Sequence, residues 1–209
     1  MVKKLKSIFS LSIPVMAFLM LSVPGFLHAE EMAPQAAVET FLKTIRSLEF
    51  PIKDQAKHAE TVSQANAFLD LDAMGIKALG PHWQEAAPEE QNEFLQRLWK
   101  LIEFMAYPRS VKFMGDYEIT YPKVEPAGNG FQVHSIISQK AEGLDAAVEY
   151  HVYTKDGQPK IDDIVLDEVS IIEDLKSQFD RIIKDSKFPG LLAKMQESLD
   201  QAKKENGGV

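Results

Sequence analysis

A chain of 209 residues with 45% apolar side chains is long enough for one domain of ordinary size and too apolar to stay disordered. The absence of cysteine excludes a disulfide scaffold, a thiolate zinc site, an iron–sulfur cluster and a cysteine nucleophile. With 31 Asp plus Glu against 23 Lys plus Arg, the formal charge of −8 argues against broad nucleic-acid binding, which needs a basic surface.

The first thirty residues read as an export signal. Lys3, Lys4 and Lys6 make a basic start, and an apolar run extends from Ile8 to Leu27, broken at Pro24-Gly25. Ala29 supplies the small residue before Glu30-Glu31, so cleavage is expected after Ala29. The alternative is an uncleaved membrane anchor, and the break before Ala29 argues for removal. Removal takes away three lysines and no acids, which moves the formal charge from −8 to −11. Residues 1–29 are thus expected to be a signal peptide and 30–209 a single domain. Export without disulfides suits a bacterial periplasm.

From Pro34, the spacing of Ala37, Val38, Phe41, Leu42, Ile45 and Leu48 predicts an amphipathic helix with proline in its first turn. Residues 54–66 are polar and read as an exposed helix. Asp70-Leu71-Asp72 is a capping signal for a short helix bearing Met74 and Leu79, ended by Gly80-Pro81. Pro88-Glu89-Glu90 opens a strongly apolar helix through Phe94, Leu98, Leu101, Ile102 and Met105, with Pro108 expected just past its end.

Near Tyr117 the period falls from about four to two. Tyr117, Ile119 and Tyr121 alternate with polar residues, Gly128-Asn129-Gly130 makes a turn, and Phe131, Val133, Ser135 and Ile137 begin a second strand. Val148, Tyr150 and Val152 alternate in a third, and Asp156-Gly157 turns into a fourth, about 160–169. The helical period returns with Ile171, Ile172, Leu175, Phe179, Ile182 and Ile183, is broken at Phe188-Pro189-Gly190, and resumes to Leu199. The tail from Lys203 is polar and expected to fray. Helices, then four antiparallel strands, then helices define an α+β chain whose helices pack on one face of a twisted sheet.

Chemical motifs are sparse. His58, His82, His134 and His151 make no metal-ligand spacing, and there is no nucleophile elbow, P-loop or dinucleotide fingerprint. His134 and His151 are placed to meet across strands, but read better as ordinary strand histidines. Asp162, Asp163, Asp167, Glu168, Glu173 and Asp174 form the densest acidic string; without calcium-loop spacing it reads as a solvated face. What stands out is apolar: Trp83, Phe94, Trp99, Met105, Tyr107, Phe113 and Met114 cluster within a short stretch. A broad helix face opposite a curved sheet is how an apolar cavity is built.

Two blocks then resemble a known family. Phe68 to Trp83, which reads FLDLDAMGIKALGPHW, leads into Ala87-Pro88-Glu89-Glu90-Gln91 and Phe94; Asp156-Gly157 leads through Ile164-Val165-Leu166-Asp167-Glu168-Val169-Ser170 to Gln178-Phe179 and Gly190-Leu191-Leu192. In order and spacing these are similar to the MlaC family, or toluene-tolerance proteins, over roughly residues 35–202. Three departures stand out: Glu168 replaces the family's usual glycine, the aromatic common after the Asp-Gly turn is missing, and Ala87 replaces a capping Ser or Thr.

The resemblance implies a monomeric periplasmic carrier without cofactor or metal, holding phospholipid acyl chains in an apolar cavity. It also implies partners: the substrate-capture component of an inner-membrane ABC transporter and an outer-membrane lipoprotein complex. The candidate lining is Leu98, Leu101, Ile102 and Met105 from one helix and Val148, Tyr150 and Val152 from the third strand. Ile164, Leu166, Val169 and Ile172 complete it. The alternatives are another apolar cargo such as a hopanoid, a plain interaction domain, or a small cone-like α+β enzyme using His134, His151 or Asp163 as base.

Overall fold

The change of period near Tyr117 is the point at which the chain passes from helices to sheet. The computed structural model describes residues 32–115, 117–139 and 144–207, so the expected signal peptide lies outside the described residues. Among the described residues no helix is long and apolar enough to cross a membrane.

Six helices come first: α1 (Pro34–Arg46), α2 (Gln55–Asn66), α3 (Leu71–Leu79), α4 (His82–Glu85), α5 (Pro88–Leu101) and α6 (Tyr107–Met114). Pro34 occupies the first turn of α1, which buries Ala37, Val38, Phe41, Leu42 and Ile45 as a single stripe. Asp54 and Asp70 cap α2 and α3, accepting the backbone N–H of Lys57 and Ala73 at 3.0 and 3.1 Å. α2 is less exposed than its composition suggests: His58, Val62 and Ala65 are buried. At Ala87, which has no capping oxygen, Glu90 reaches back to accept the Ala87 N–H at 3.0 Å and supplies half of a capping box. Gly75 brings α3 onto α5; a Cβ there would stand 2.6 Å from Leu95 Cδ2.

A π-helical turn, Ile102–Ala106, joins α5 to α6. Pro108 therefore does not lie beyond the helical run, as expected from sequence, but inside it. The wider turn accommodates a residue that lacks an N–H. The carbonyl of Phe104, four residues before Pro108, accepts the side-chain amide of Asn206 at 3.0 Å.

The sheet is antiparallel in the order β1 (Glu118–Ala127), β2 (Gly130–Gln139), β3 (Leu144–Lys155), β4 (Gln158–Leu166) and β5 (Val169–Ser170). The fourth strand of the sequence reading is divided by a turn at Asp167-Glu168, so a two-residue fifth strand pairs back onto β4. Tyr150 opposes Val133 on β2 and Ile164 on β4, which sets the buried face. The shift of register at His151/Val152 leaves Asp162 as the extra residue between Ile161 and Asp163.

The last element, α7 (Ile171–Asn206), is two helical segments that meet at Lys187, whose φ is +61°. This places the break beside Phe188-Pro189-Gly190, where the sequence put it. The tail does not fray at Lys203: the helix continues to Asn206 and Ala202 is buried. Asn206 O also accepts from Ile52 N, and Gly207 O from Gln55 Nε2.

α4 is held to α7 by His82, whose Nε2 meets Asp180 Oδ1 at 3.0 Å and whose Nδ1 meets Glu85 Oε2 at 2.9 Å. The hydrogen bonds to Asp180 and then Glu85 raise the imidazole above its ordinary value of 6.5. A raised histidine stabilises the fold fully below its unfolded value and loses that contribution as pH climbs through the folded one. The midpoint of thermal unfolding should therefore fall as pH rises past 6.5, and His82→Gln should flatten that slope. An unchanged slope in the variant would place the pH dependence elsewhere.

Candidate functional site

Two apolar cores meet imperfectly, and the gap between them is the candidate site. One core joins α1 and α2 to the sheet through Phe41, Leu42, Ile137, Val148 and Tyr150; the other joins α3, α5 and α7 through Phe94, Leu98, Phe179 and Leu191. Ile102 is packed against both. Between them lies an apolar pocket of about 420 Å³. Protein interiors ordinarily contain few voids larger than a water molecule.

The helical wall is Leu98 and Leu101 of α5 with Ile102 and Met105 of the π-turn, and the sheet wall is Val148 and Tyr150 of β3 with Ile164 and Leu166 of β4. Ile172 lines it from α7. These are the sequence candidates the structure brings together. Val152 and Val169 stand elsewhere. Val152, on the far side of the register shift, pairs with Ile161 and is 1% exposed within the packed core. Val169 lies on the two-residue edge strand and is 58% exposed.

Several lining residues were not anticipated. Phe41, Leu42 and Ile45 of α1 form part of the wall, as do Leu175 and Phe179 of α7. Their stripes were evident, but periodicity identifies a buried face without saying whether it meets side chains or space. Ala106 of the π-turn and Arg109, Ser110 and Phe113 of α6, a helix the sequence reading did not assign, also line the pocket at helical spacing. Arg109 is exposed, and Phe113, Leu166 and Ile171 are about 40% exposed, so they mark the mouth.

Among the described residues no carboxylate, imidazole or amine lines the pocket; the polar side chains there are Tyr107, Tyr150, Arg109 and Ser110. Burial pushes both phenols up, and Tyr107 Oη donates to Asn66 Oδ1 at 2.5 Å. The histidines considered as bases lie apart from it. His134 sits between Glu125 Oε1 at 2.9 Å and Glu149 Oε1 at 3.2 Å, and its register partner is Glu149, not His151. His151 has Asp162 Oδ1 at 2.5 Å on Nδ1 and the Ala127 carbonyl at 3.1 Å on Nε2.

The acidic string is not a uniform solvated face. Asp162 is buried between His151 and Lys77, and Asp163 accepts the hydroxyl of Ser170, which caps α7 through the Glu173 N–H. No group of His, Asp and Glu among the described residues is arranged to hold a metal.

Residues 35–197 match the family model described as MlaC protein. The chain belongs to the MlaC family. A curated relative, the intermembrane phospholipid transport system binding protein MlaC of Haemophilus influenzae, is 23% identical over 173 residues, 80% of each chain. A solved structure of a phospholipid-binding protein from Ralstonia solanacearum, in complex with a phospholipid, superposes with a TM-score of 0.67 at 22% identity. That match covers 80% of this chain and 95% of the other. The α+β architecture is thus the MlaC fold.

Within that family pattern, Glu168 has a local cost. It stands at φ +68°, next to Asp167 at +47°, and the left-handed region favours glycine. Asp167 is secured by backbone and side-chain bonds to Ala147, whereas Glu168 gains no such compensation. Glu168→Gly should stabilise the protein by about 1 kcal/mol, read as a shift in the urea midpoint. A destabilised variant would show that the glutamate side chain makes a favourable contact in solution.

Proposed function

We propose that this chain is a periplasmic phospholipid carrier: exported by a cleaved signal peptide, it encloses acyl chains in the pocket and moves the lipid between outer- and inner-membrane complexes. The observation that carries this reading is the apolar pocket at the seam of the two cores. Its lining is almost wholly apolar and opens at a mouth, so an apolar occupant gains the hydrophobic free energy of the wall surface it takes out of water. From the lipid's side, exposing two chains of about sixteen carbons to water costs on the order of 25 kcal/mol at ~0.8 per methylene, so a carrier has to cover them.

The lining contains apolar surface and no acid–base pair, which fits transport rather than catalysis. The names of the relatives point the same way: one is a phospholipid transport binding protein, another was solved with a phospholipid. The partners proposed are an inner-membrane ABC transporter's capture component and an outer-membrane lipoprotein complex. The acidic balance of the chain discourages adsorption to anionic lipid, so handover relies on docking to such partners.

The test is mass spectrometry of organic extracts from the chain expressed with its leader and purified from bacteria. Diacyl phospholipid near one equivalent is the expected result. Polycyclic lipid instead would change the cargo, and a protein without any extractable lipid would overturn the reading.

A further inference from the structure

The pocket has one charged lining residue, and among the described residues it has no polar partner. Arg109 lies on α6 on the same face as Ala106, Ser110 and Phe113, all of which line the pocket. Its side chain is exposed at the mouth, and it makes no ion pair or hydrogen bond among the described residues. Arg97 pairs with Glu93, and Arg46 donates to the Gly115 carbonyl at 2.8 Å; Arg181, also exposed, lies away from the pocket, so Arg109 is set apart by its place in the lining. Arg109 also borders a shallow groove that contains Glu205, yet no pair forms between them. What distinguishes Arg109 is its position: among the described residues it is the single charged one on an otherwise largely apolar wall, at the mouth through which a headgroup would emerge.

We propose that Arg109 binds the phosphate of a phosphodiester lipid at the mouth of the pocket, with Ser110 beside it. This rests on the reading that the pocket holds acyl chains, and it adds the headgroup chemistry. With the chains inside, the first polar group to emerge stands at the mouth. A guanidinium presents five N–H donors in a planar fork that suits two phosphate oxygens at once. The low-dielectric wall formed by Phe113 and Ala106 strengthens the pair relative to open water. The acidic chain repels anions at long range, so an anionic headgroup needs a local cation to be held.

The experiment compares two lipids with identical acyl chains, one phosphatidylglycerol and one diacylglycerol, each presented as a sonicated dispersion without any other phospholipid to the delipidated full-length mature chain. Uptake is followed through a fluorescent acyl label, and circular dichroism checks the fold. The wild type should prefer the phospholipid, and Arg109→Gln should reduce the ratio of the two affinities roughly ten- to hundred-fold. Arg109→Lys should restore part of the ratio, since it keeps the charge and loses the fork. An unchanged ratio in the glutamine variant would overturn the proposal while leaving the pocket reading intact. Uptake of neither lipid by the wild type would overturn the pocket reading itself. Binding of inorganic phosphate to the lipid-free protein as tightly as phospholipid, lost in the variant, would assign Arg109 to free phosphate and overturn the lipid assignment.

Discussion

Ile102→Glu should yield a folded protein that copurifies with almost no lipid. Ile102 is partly exposed, packs against both cores and lines the pocket, so its substitution adds a charge where the occupant, not the fold, has to meet it. A carboxylate facing acyl chains must either stay charged without a partner or take up a proton, and either costs several kcal/mol. The lipid-to-protein ratio in organic extracts should therefore drop by roughly a hundredfold or more, with the circular dichroism spectrum preserved. Ile102→Leu, which conserves volume and polarity, should retain wild-type lipid content. Full lipid content in a folded Ile102→Glu protein would remove this residue from the wall of the binding site.

The largest loss of stability should come from Asp70→Ala, outside the pocket. Asp70 is 5% exposed and gathers four groups: the Ala73 N–H at the start of α3, the Tyr153 hydroxyl and the Lys155 ammonium at 2.7 Å, while its own N–H donates to the Ile161 carbonyl at 2.9 Å. Three of these are lost with the carboxylate, leaving Tyr153 and Lys155 without it. Losing a buried carboxylate that caps α3 and accepts from Tyr153 costs about 2–3 kcal/mol, read from urea unfolding. Burial pushes the Asp70 carboxyl up, but the hydrogen bonds from Lys155, Tyr153 and Ala73 outweigh it and hold the group below the ordinary carboxylate value of 3.8. A depressed acid stabilises the fold above its unfolded value and loses that contribution as pH falls through the folded one. Acid unfolding of the wild type should steepen below pH 3.8, and that part of the curve should be missing from the variant. A variant within about 1 kcal/mol of wild type would mean that water or another group takes over these contacts.

Much of the fold was legible because its signals are local. The change of period near Tyr117, the capping aspartate at 70 and the Asp156-Gly157 turn each specify their own neighbourhood. What escaped depends on distant partners. Nothing near Pro108 announces that the helix passes through it, because the carbonyl it leaves over is satisfied by Asn206. The polar tail was expected to fray for the same reason: its anchors, Ile52 and Gln55, lie far back in the chain. Likewise α1 and α7 read as core stripes, and only the arrangement of both cores leaves a gap beside Phe41 and Phe179. Val152 shares a face of β3 with Val148 and Tyr150, and alternation does not show how far along that face the pocket extends.

The bond from Asn206 to Phe104 also ties one wall of the pocket to the end of the chain. The π-turn that contributes Ile102 and Met105 to the pocket is secured by a residue about a hundred positions later. Contacts of such long sequence separation form late in folding, because loop closure precedes them. The wall at the π-turn is therefore completed after the local helices and hairpins, once the last turn of α7 has docked.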